Sequence, residues 1–435
     1  MKVLFYGINY YPELTGIGKY TTEMAEWLAS HKEYDVSMLT AMPYYPKWET
    51  NENYKNKFWH KEDIKNVDVY RCPIYVPKNP TAVRRIIHEL SFFLSSMVMW
   101  IKFLFIPKVD LIIFLSPPFH CGLLPLIYSK IKKSKVLTHI HDLQIDAAKE
   151  LGMIKNKNLL SLMFKIENYL INDSDYISTI STGMQKRIER TKSINKEIFH
   201  FPNWVDTNFI KPLDKKESLR EKFNIDESKT VILYSGNIGA KQGLDKIVLV
   251  AESLQEKKDV LFVIVGTGIG MSHLQEMAVE KNLENIQFHP LQPYNELSNL
   301  MAIADLHLVL QKSEVGDLLL PSKLTTILAA GGCSIVTALP NTNLYDIVQN
   351  HNLGNIIKPD CTESLLNGIV DSLEMDLNEK RKNARAYAIK HLSKEEILSN
   401  FFDKISAKPK LTDPIPSHTS LQPNYAEMGE LVGQE

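Results

Sequence analysis

Short apolar stretches recur along this 435-residue chain, and each is followed by a polar or glycine-containing loop and then by an amphipathic segment. Four examples are Lys2–Tyr6, Lys135–His139, Thr230–Tyr234 and Val260–Val265. Apolar runs of this length are typical of strands that are buried on both faces of a parallel sheet. Their alternation with helices predicts an α/β fold, in which ligands bind at the carboxyl ends of the strands.

Gly316–Thr337 is the stretch with the clearest local chemistry. Pro321 lies where a helix would begin, a Gly-Gly pair ends that helix, and a short buried strand follows. A helix N-terminus offers free N–H groups and a positive dipole end, which favour an anion. Ser322 and Lys323 add a hydroxyl and an ammonium suited to a phosphate. The same residues would also fit an ordinary helix–strand unit with a surface lysine.

Three other loops place small residues after a strand or before a helix, where a glycine lets the backbone approach a ligand closely. The alternative for each loop is a plain turn. A G-x-G pair without a third glycine and a downstream acid is also weak evidence for a dinucleotide site. The candidate residues are Gly16, Gly18, Ser235, Gly236, Asn237, Lys241, Gly266 and Gly268.

Polar side chains cluster at the end of the strand that begins at Lys135. They are His139, His141, Asp142 and Asp146. Histidine and aspartate at a strand end can position or deprotonate a hydroxyl. Metal binding is a second interpretation, although the spacing matches no standard metal-binding pattern. The third interpretation is a polar strand end whose groups satisfy one another.

Six segments of the chain carry a family resemblance: GINYYPELTGIGKYT, AMPYYPKW, RCPIYVPK, FPNWVD, ILYSGNIGAKQGL and LLPSKLTTILAAGG. They resemble segments of the family-four retaining glycosyltransferases with the GT-B architecture, and more narrowly those of the colanic acid and O-antigen biosynthesis glycosyltransferases. The resemblance covers the chain from Met1 to Phe402. It implies two doubly wound Rossmann-like domains that face each other across a cleft.

The same resemblance implies a role for each candidate loop. The glycine and lysine loops would bind a nucleotide-diphosphate sugar donor, without a metal ion or another cofactor. The implied catalytic residues are His141, Asp142, Lys241 and Lys323. The implied donor-binding residues are Gly16, Gly18, Ser235, Gly236, Asn237, Lys241, Gly266, Gly268, Pro321, Ser322, Lys323, Leu324 and Thr325, and no metal ligand is expected.

Three positions depart from the family pattern. Asn237 stands where an arginine is common. Two family glutamates, the second of which holds the donor ribose, correspond here to Leu318 and Thr326. Glu314 or Asp317 could substitute for them. Ribose contact is therefore a weaker expectation than phosphate binding.

Composition excludes several functional classes. The formal net charge is −1, which provides no basic field for nucleic acid. The four cysteines, at positions 72, 121, 333 and 361, are widely spaced, so neither a zinc site nor a disulfide framework is predicted. The N-terminal MKVLFYG is typical of a strand rather than of a signal peptide, so we expect a cytoplasmic protein.

Leu90–Ile106 is the most membrane-like segment. Only the residues 90–101 separate the charges of Glu89 and Lys102, and a span needs roughly 20 apolar residues. The segment is either a buried core helix or a helix that lies in the headgroup plane of an anionic membrane. The resemblance favours the membrane surface, contacted through Arg84–Lys108. The aromatic, proline-rich run 42–59 is predicted to be a loop that contacts the acceptor.

The predicted organisation has four parts: an acceptor-binding domain over 1–205, a donor-binding domain over 206–385, a helix over 386–406 that returns to the first domain, and a disordered tail over 407–435. Trp204 replaces the glycine of the family's P-N-G-V-D hinge segment.

The expected activity is hexosyl transfer, with retention, from a UDP- or GDP-sugar to a lipid-linked oligosaccharide in capsule, exopolysaccharide or O-antigen biosynthesis. The enzyme would act at the inner face of the plasma membrane. Two alternatives fit the same architecture, a non-catalytic sugar-nucleotide-binding subunit and a nucleotide-sugar 2-epimerase.

Overall fold

The computed structural model describes residues 1–13, 16–150, 154, 156–192, 194, 196–239, 241–313 and 321–406. These residues form two mainly parallel sheets covered by helices. The first sheet is built from residues 2–200 and the second from residues 230–357. The α/β architecture predicted from the alternation of strands and helices is therefore confirmed.

The N-terminal sheet has eight strands in the order β3-β4-β2-β1-β5-β6-β7-β8. They are β1 Lys2–Tyr6, β2 Asp35–Ala41, β3 His60–Ile64, β4 Val67–Cys72, β5 Leu111–Ser116, β6 Lys135–Ile140, β7 Tyr176–Thr179 and β8 Ile198–His200. The strand order reverses between β1 and β5, which are adjacent and parallel. The loops after these two strands therefore flank the crevice in which such sheets bind ligands.

The sequence pattern does not predict β3, which is the one antiparallel strand of this sheet in the described part of the chain. Its sequence, HKEDI, is polar and partly exposed, so it lacks the apolar alternation of a half-buried strand. A tight turn pairs it with β4, because Lys65 and Asn66 both have a positive φ, 50° and 66°. Two such residues form the usual two-residue hairpin turn.

Six helices cover the N-terminal sheet in the described residues. They are α1 Ile17–Ala29, α2 Ala82–Phe103, α3 Leu123–Lys132, α4 Gln144–Glu150, α5 Lys157–Asp173 and α6 Thr182–Thr191. The first helix begins at Ile17, which places Gly18 inside it. The aromatic run 42–59 contains a single short 3₁₀ turn, at Glu52–Tyr54, and is otherwise irregular, as predicted.

One helix of the described residues, Val83–Phe103 within α2, is long and apolar enough to cross a membrane by length and composition alone, with a mean hydropathy of 1.3. In the structure, 33% of its apolar window is buried. Phe92 and Trp100 pack in the core, and the Ser96 hydroxyl lies 2.7 Å from that of Tyr6. The opposite face is exposed at Val83, Ile86, Ile87, Leu90, Leu94, Met97, Val98 and Ile101. One face of α2 is therefore part of the core, and contact of the exposed face with a membrane stays a prediction.

The C-terminal sheet has six parallel strands in the order β11-β10-β9-β12-β13-β14. They are β9 Thr230–Asn237, β10 Val260–Thr267, β11 Ile286–His289, β12 Leu306–Val309, β13 Ser334–Thr337 and β14 Gly354–Ile357. The helices are α7 Asp245–Ser253, α8 Met271–Glu280, α9 Leu297–Met301, α10 Ser322–Ala329, α11 Asn343–Asn350, α12 Thr362–Glu374, α13 Asn378–Tyr387 and α14 Lys394–Ser406. Here the order reverses between β9 and β12, so the loops after them lie at the expected binding crevice.

The end of the described chain returns to the N-terminal sheet. The helix predicted over 386–406 is interrupted between α13 and α14, because Ser393 is extended and pairs with Val205. Ala384 and Ala388 pack in the C-terminal core, whereas α14 packs among the side chains of β1 and β5. The predicted domain boundaries stay a prediction, and the predicted tail over 407–435 lies outside the described residues.

Trp204 fills the junction between the two halves. It is 2% exposed, its ring lies edge-on to Tyr20 at 5.3 Å, and its indole N–H donates to Glu23 at 2.6 Å. The adjacent Asp206 accepts from the Lys394 ammonium at 2.7 Å. A large aromatic residue at this position ties the connecting segment to α1, which a glycine could not do.

Candidate active site

Lys323 and Tyr234 bring two loops of the C-terminal half together. The Lys323 ammonium donates to the Tyr234 hydroxyl at 2.7 Å and lies 4.1 Å from the centre of its ring. The same hydroxyl donates to the backbone carbonyl of Asn237 at 2.7 Å. Tyr234 belongs to β9 and Lys323 to the first turn of α10. The ammonium is therefore fixed at the carboxyl end of β9, beside the topological switch point.

The charge of Lys323 has no counter-ion among the described residues. The side chain is half-buried, and burial lowers the pKa of its ammonium to about 8. Within the same residues it forms a hydrogen bond and a ring contact but no salt bridge. A half-buried cation of this kind gains most from an anion that binds next to it.

Gly236 lies next to this ammonium. Its φ is +142°, and a Cβ at this position would lie 3.4 Å from the Lys323 Nζ. Ser235 is half-buried and Asn237 is exposed. The three residues thus form a narrow loop with the ammonium against it, which is suited to a ligand that needs both N–H groups and positive charge.

Gly266 and Gly268 lie directly against the backbone of the loop after β9, and their donor-binding role stays a prediction. A Cβ on Gly266 would lie 2.0 Å from the carbonyl oxygen of Gly236, and one on Gly268 would lie 2.2 Å from that of Ile238. Any side chain at these positions would push β10 away from the loop after β9. The structure therefore gives them an indirect role, since they hold the loop that carries Gly236 and Asn237.

The N-terminus of α10 has the predicted location. Pro321 precedes the helix as its cap residue, and Ser322 is exposed in the first turn. Leu324 is completely buried, and the Thr325 hydroxyl donates to the carbonyl of Ser322 at 2.7 Å. The side chains of Leu324 and Thr325 are thus committed to the protein, and only their backbone faces the helix end. The acidic candidates Glu314 and Asp317 lie outside the described residues.

Lys241 and Asp142 connect the two halves electrostatically. Lys241 is exposed in the loop after β9, and Asp142 is exposed after β6. Partial desolvation raises the pKa of the Asp142 carboxyl, and attraction to Lys241 opposes this rise. The strand end of the N-terminal half therefore experiences the positive charge of the lysine loop in the C-terminal half.

His141 is neutral in this environment. Its ring is 7% exposed and lies edge-on to that of His139 at 4.3 Å. Burial lowers its pKa to about 4, so it carries no charge at neutral pH. Its Nε2 is buried and has no hydrogen-bond partner in the described part of the chain. A neutral ring with one unused nitrogen can hydrogen-bond a substrate hydroxyl.

Asp146, the other acid of this strand end, is not available to a ligand. It is 6% exposed and accepts from the Lys192 ammonium at 2.9 Å and from Arg187 at 3.3 Å. Lys192 is also bonded to Glu167. The predicted polar cluster therefore divides into a site-facing part, His141 and Asp142, and a structural ion network.

Gly16 and Gly18 also differ from each other. Gly16 precedes α1 with a φ of +54°, and a Cβ there would meet no atom of the described residues within 4 Å. A Cβ on Gly18 would lie 2.3 Å from the carbonyl oxygen of Glu13. Gly16 therefore borders open space, where a ligand can approach, and Gly18 permits the helix to pack against the preceding loop.

Glu13 is a structural residue of this edge that the sequence motifs do not reveal. Its carboxylate accepts from the N–H groups of Tyr44 and Tyr45, both at 2.6 Å, and from the amide of Asn9 at 2.9 Å. These bonds fix the aromatic loop after β2 against the loop after β1. No sequence signal identifies Glu13, because two of its donors, the N–H groups of Tyr44 and Tyr45, lie more than 30 positions away in the chain.

The described residues contain no group of three or more His, Cys, Asp or Glu side chains that could hold a metal ion. The expectation of metal-independent chemistry stays a prediction.

Known proteins that are similar in sequence identify the family of this chain. A family model described as "Glycosyl transferases group 1" matches residues 215–391. WcaI of Escherichia coli (strain K12), assigned as a colanic acid biosynthesis glycosyl transferase, is 39% identical over 419 residues, which are 93% of this chain and 100% of WcaI. The chain belongs to the group 1 glycosyltransferases. It is accordingly an enzyme of the glycosyl-transfer class.

Solved structures of glycosyltransferases show the same fold. Sucrose-phosphate synthase of Thermosynechococcus elongatus has a TM-score of 0.71 at 14% identity, and the comparison covers 93% of this chain and 98% of that one. HepE of Anabaena, in complex with UDP and glucose, has a TM-score of 0.65 at 14% identity and covers 94% and 100%. The two sheets of this group 1 glycosyltransferase thus form the GT-B fold.

Proposed function

We propose that this enzyme transfers a sugar, with retention, from a UDP- or GDP-sugar to a lipid-linked oligosaccharide during exopolysaccharide, capsule or O-antigen biosynthesis. The observation that carries the proposal is the Lys323 ammonium, which lies at the start of α10 and beside Gly236. A nucleotide diphosphate supplies the anion that this site favours. The similarity to WcaI, named for colanic acid biosynthesis, and to a structure of HepE with UDP supports this choice.

The proposed chemistry uses charge that is fixed before the substrate binds. The bond between the anomeric carbon and the donor's phosphate oxygen breaks, and the diphosphate leaves with the electron pair. Lys323, Lys241 and the N-terminus of α10 stabilise that developing charge. The acceptor oxygen attacks from the face that the phosphate leaves, and the departing phosphate oxygen takes the proton of the acceptor hydroxyl. His141 and Asp142 orient that hydroxyl.

Nucleotide binding tests the donor site. A ligand that binds only the folded state raises the melting temperature, so the purified protein is screened against UDP, GDP, CMP and NAD. We expect a shift with UDP or GDP that is lost in Lys323→Ala. Stabilisation by NAD alone would contradict the donor assignment. Release of nucleoside diphosphate that requires an acceptor then separates the transferase from an epimerase and from a non-catalytic binding subunit.

The exposed face of α2 supports a peripheral position at the inner membrane surface. Arg84 and Arg85 lie at one end of this apolar face and Lys102 at the other. The neighbouring α3 adds Ile127 and Ile131, which are 48% and 58% exposed. Apolar side chains flanked by basic ones suit an anionic headgroup region.

Vesicle flotation tests this position. We expect binding to vesicles with phosphatidylglycerol and weaker binding to vesicles of phosphatidylcholine alone. The double variant Leu94→Asp/Ile101→Asp should lose binding, because both residues lie on the exposed face, at 59% and 52% exposure. Val279→Asp, exposed on α8, is the matched control. Equal flotation of both variants would exclude the α2 surface.

A further inference from the structure

Glu89, Gln144 and His120 form a polar cluster that the donor site does not use. Glu89 lies on α2, and its carboxylate accepts from the Gln144 side-chain amide at 2.8 Å. Gln144 begins α4, two residues after Asp142. His120 follows β5 and hydrogen-bonds to the backbone of Glu89. Three separate elements therefore place these side chains together at the carboxyl edge of the N-terminal sheet.

The cluster holds polar atoms without partners. The Oε1 of Gln144 and the Nε2 of His120 are buried and form no hydrogen bond within the described residues. A buried polar atom that is left unpaired is destabilising, so such atoms call for an explanation. A ligand with hydroxyl groups explains both, because a hydroxyl can donate to the amide oxygen and can donate to or accept from a ring nitrogen.

Aromatic side chains border the same cluster. Tyr44 lies edge-on to His88, the residue before Glu89 on α2, with the ring centres 4.4 Å apart. Tyr44 lies edge-on to Trp48 at 5.5 Å, and Arg85 lies 5.4 Å from the centre of the Trp48 ring. Aromatic faces beside hydrogen-bonding groups are suited to a sugar ring, which has an apolar face and a hydroxylated rim.

The charge of the cluster restricts the ligand further. Burial raises the pKa of Glu89 to about 7, while Gln144 and Arg85 favour its ionised form. A carboxylate that is already costly to keep charged would repel a second carboxylate. The favoured ring is therefore uncharged.

We infer that Glu89, Gln144 and His120 form the subsite for the acceptor saccharide, and that this subsite selects an uncharged, hydroxyl-rich sugar ring over an acidic one. The inference rests on the proposed glycosyl transfer. Because Glu89 and the membrane-facing residues share α2, the acceptor's lipid would lie along that helix while its sugar contacts Glu89.

Direct binding of simple glycosides tests the subsite without a need for the natural acceptor. The probes are octyl β-glucoside, octyl β-galactoside and octyl β-glucuronide, with 1-octanol as the chain control. All are titrated calorimetrically below their micelle concentrations into the full-length protein saturated with UDP or GDP. We expect one neutral glycoside to bind at least ten times more tightly than the glucuronide, and octanol not to compete.

Two variants distinguish contact from mere support of the fold. Gln144→Ala should weaken binding of the neutral glycoside at least tenfold. Glu89→Gln should reduce the ratio between the affinity for the neutral glycoside and the affinity for the glucuronide. Loss of packing alone would not change this ratio. Glu374→Gln, exposed on α12, is the matched control and should change neither value.

Three results would overturn the inference: no neutral glycoside binds, octanol competes fully with the glycosides, or Glu89→Gln leaves the preference unchanged. Failure of the proposed function is recognised separately, because melting curves with UDP and GDP test the other half of the molecule. A protein that binds a nucleotide but shows no glycoside preference keeps its donor site and loses only this subsite.

Discussion

The two halves of this enzyme present opposite electrostatics at equivalent places. In the C-terminal half, the carboxyl edge carries Lys323, a half-buried cation without a counter-ion in the described residues. In the N-terminal half, the same edge carries the neutral His141 and the acids Asp142 and Glu89. Parallel sheets of similar topology therefore fix where a ligand binds, whereas the loop side chains decide which ligand it is.

This contrast fits a transfer reaction between unlike substrates. A diphosphate needs positive charge that is present before it binds, and a saccharide needs hydrogen-bonding groups and apolar faces. Attraction to Lys241, on the C-terminal edge, lowers the pKa of the Asp142 carboxyl on the N-terminal edge. Substitutions at either edge, and at both edges together, test this contrast.

Removal of the central cation should have the largest effect. Lys323→Ala should lower kcat/KM for transfer on the order of 10³-fold, because the developing diphosphate charge loses its buried partner. The fold should be retained, since the side chain lies at the start of a helix rather than in the core. Steady-state kinetics and a melting curve check both statements. Lys382→Ala, an exposed lysine of α13, is the control, and equal activity of the two variants would exclude Lys323 from the site.

The protonation of Lys323 should control nucleotide affinity. Its pKa in the folded protein is about 8, below the ordinary value of 10.5. The charged form binds phosphate, so affinity is complete below pH 8 and should fall by roughly tenfold per pH unit above it. Calorimetric titration of UDP or GDP between pH 7 and pH 9.5 measures this. Lys323→Arg, which stays charged, should flatten the profile, and an unchanged profile in that variant would point to another group.

The same shift predicts a change in stability. Burial penalises the charged form of Lys323, and the unfolded chain binds its proton more tightly than the folded one does. The free energy of unfolding from this group should therefore rise as the pH increases from about 8 to 10.5. Urea unfolding of the wild type and of Lys323→Met is measured at pH 8 and pH 10. The rise in the free energy of unfolding that is due to Lys323 should be absent from the variant.

Removal of the Tyr234 hydroxyl should lower kcat/KM by an intermediate amount. Tyr234→Phe removes the acceptor for the Lys323 ammonium and the donor to the Asn237 carbonyl. A lost hydrogen bond of this type costs about 1 kcal/mol, which corresponds to roughly a fivefold loss in kcat/KM. The ring contact with Lys323 remains in the variant. Kinetics should show a loss much smaller than that of Lys323→Ala, and full activity would mean that the ring alone positions the ammonium.

The electrostatic interaction between Lys241 and Asp142 should have the smallest effect on donor affinity. Lys241 and Asp142 are both exposed, and interactions of exposed charges are weakened by solvent. A double-mutant cycle with Lys241→Met and Asp142→Asn should give a coupling of less than about 1 kcal/mol in donor affinity. The coupling should decrease in 0.5 M salt. Strict additivity at low salt would contradict an electrostatic coupling between the two edges.

The sequence predicted most of the fold because the strands are continuous apolar runs. β1, β9 and β10 lie where Lys2–Tyr6, Thr230–Tyr234 and Val260–Val265 predicted them. The sequence pattern did not predict β3, because its polar sequence has no such run. It also did not predict the break after Leu392, where pairing of Ser393 with Val205 interrupts a helical pattern. Both failures are cases in which a contact distant in sequence overrides local preference.

The sequence by itself determined the α/β architecture and the places where ligand-binding loops occur, since apolar periodicity and glycine spacing are local properties. Only the tertiary structure decided which loop residues face a ligand. It set Gly236 against the Lys323 ammonium, assigned Gly266 and Gly268 to packing, and brought Glu89 to Gln144 across 55 positions of the chain. Such pairings depend on how helices and strands pack, and no spacing within one segment records them.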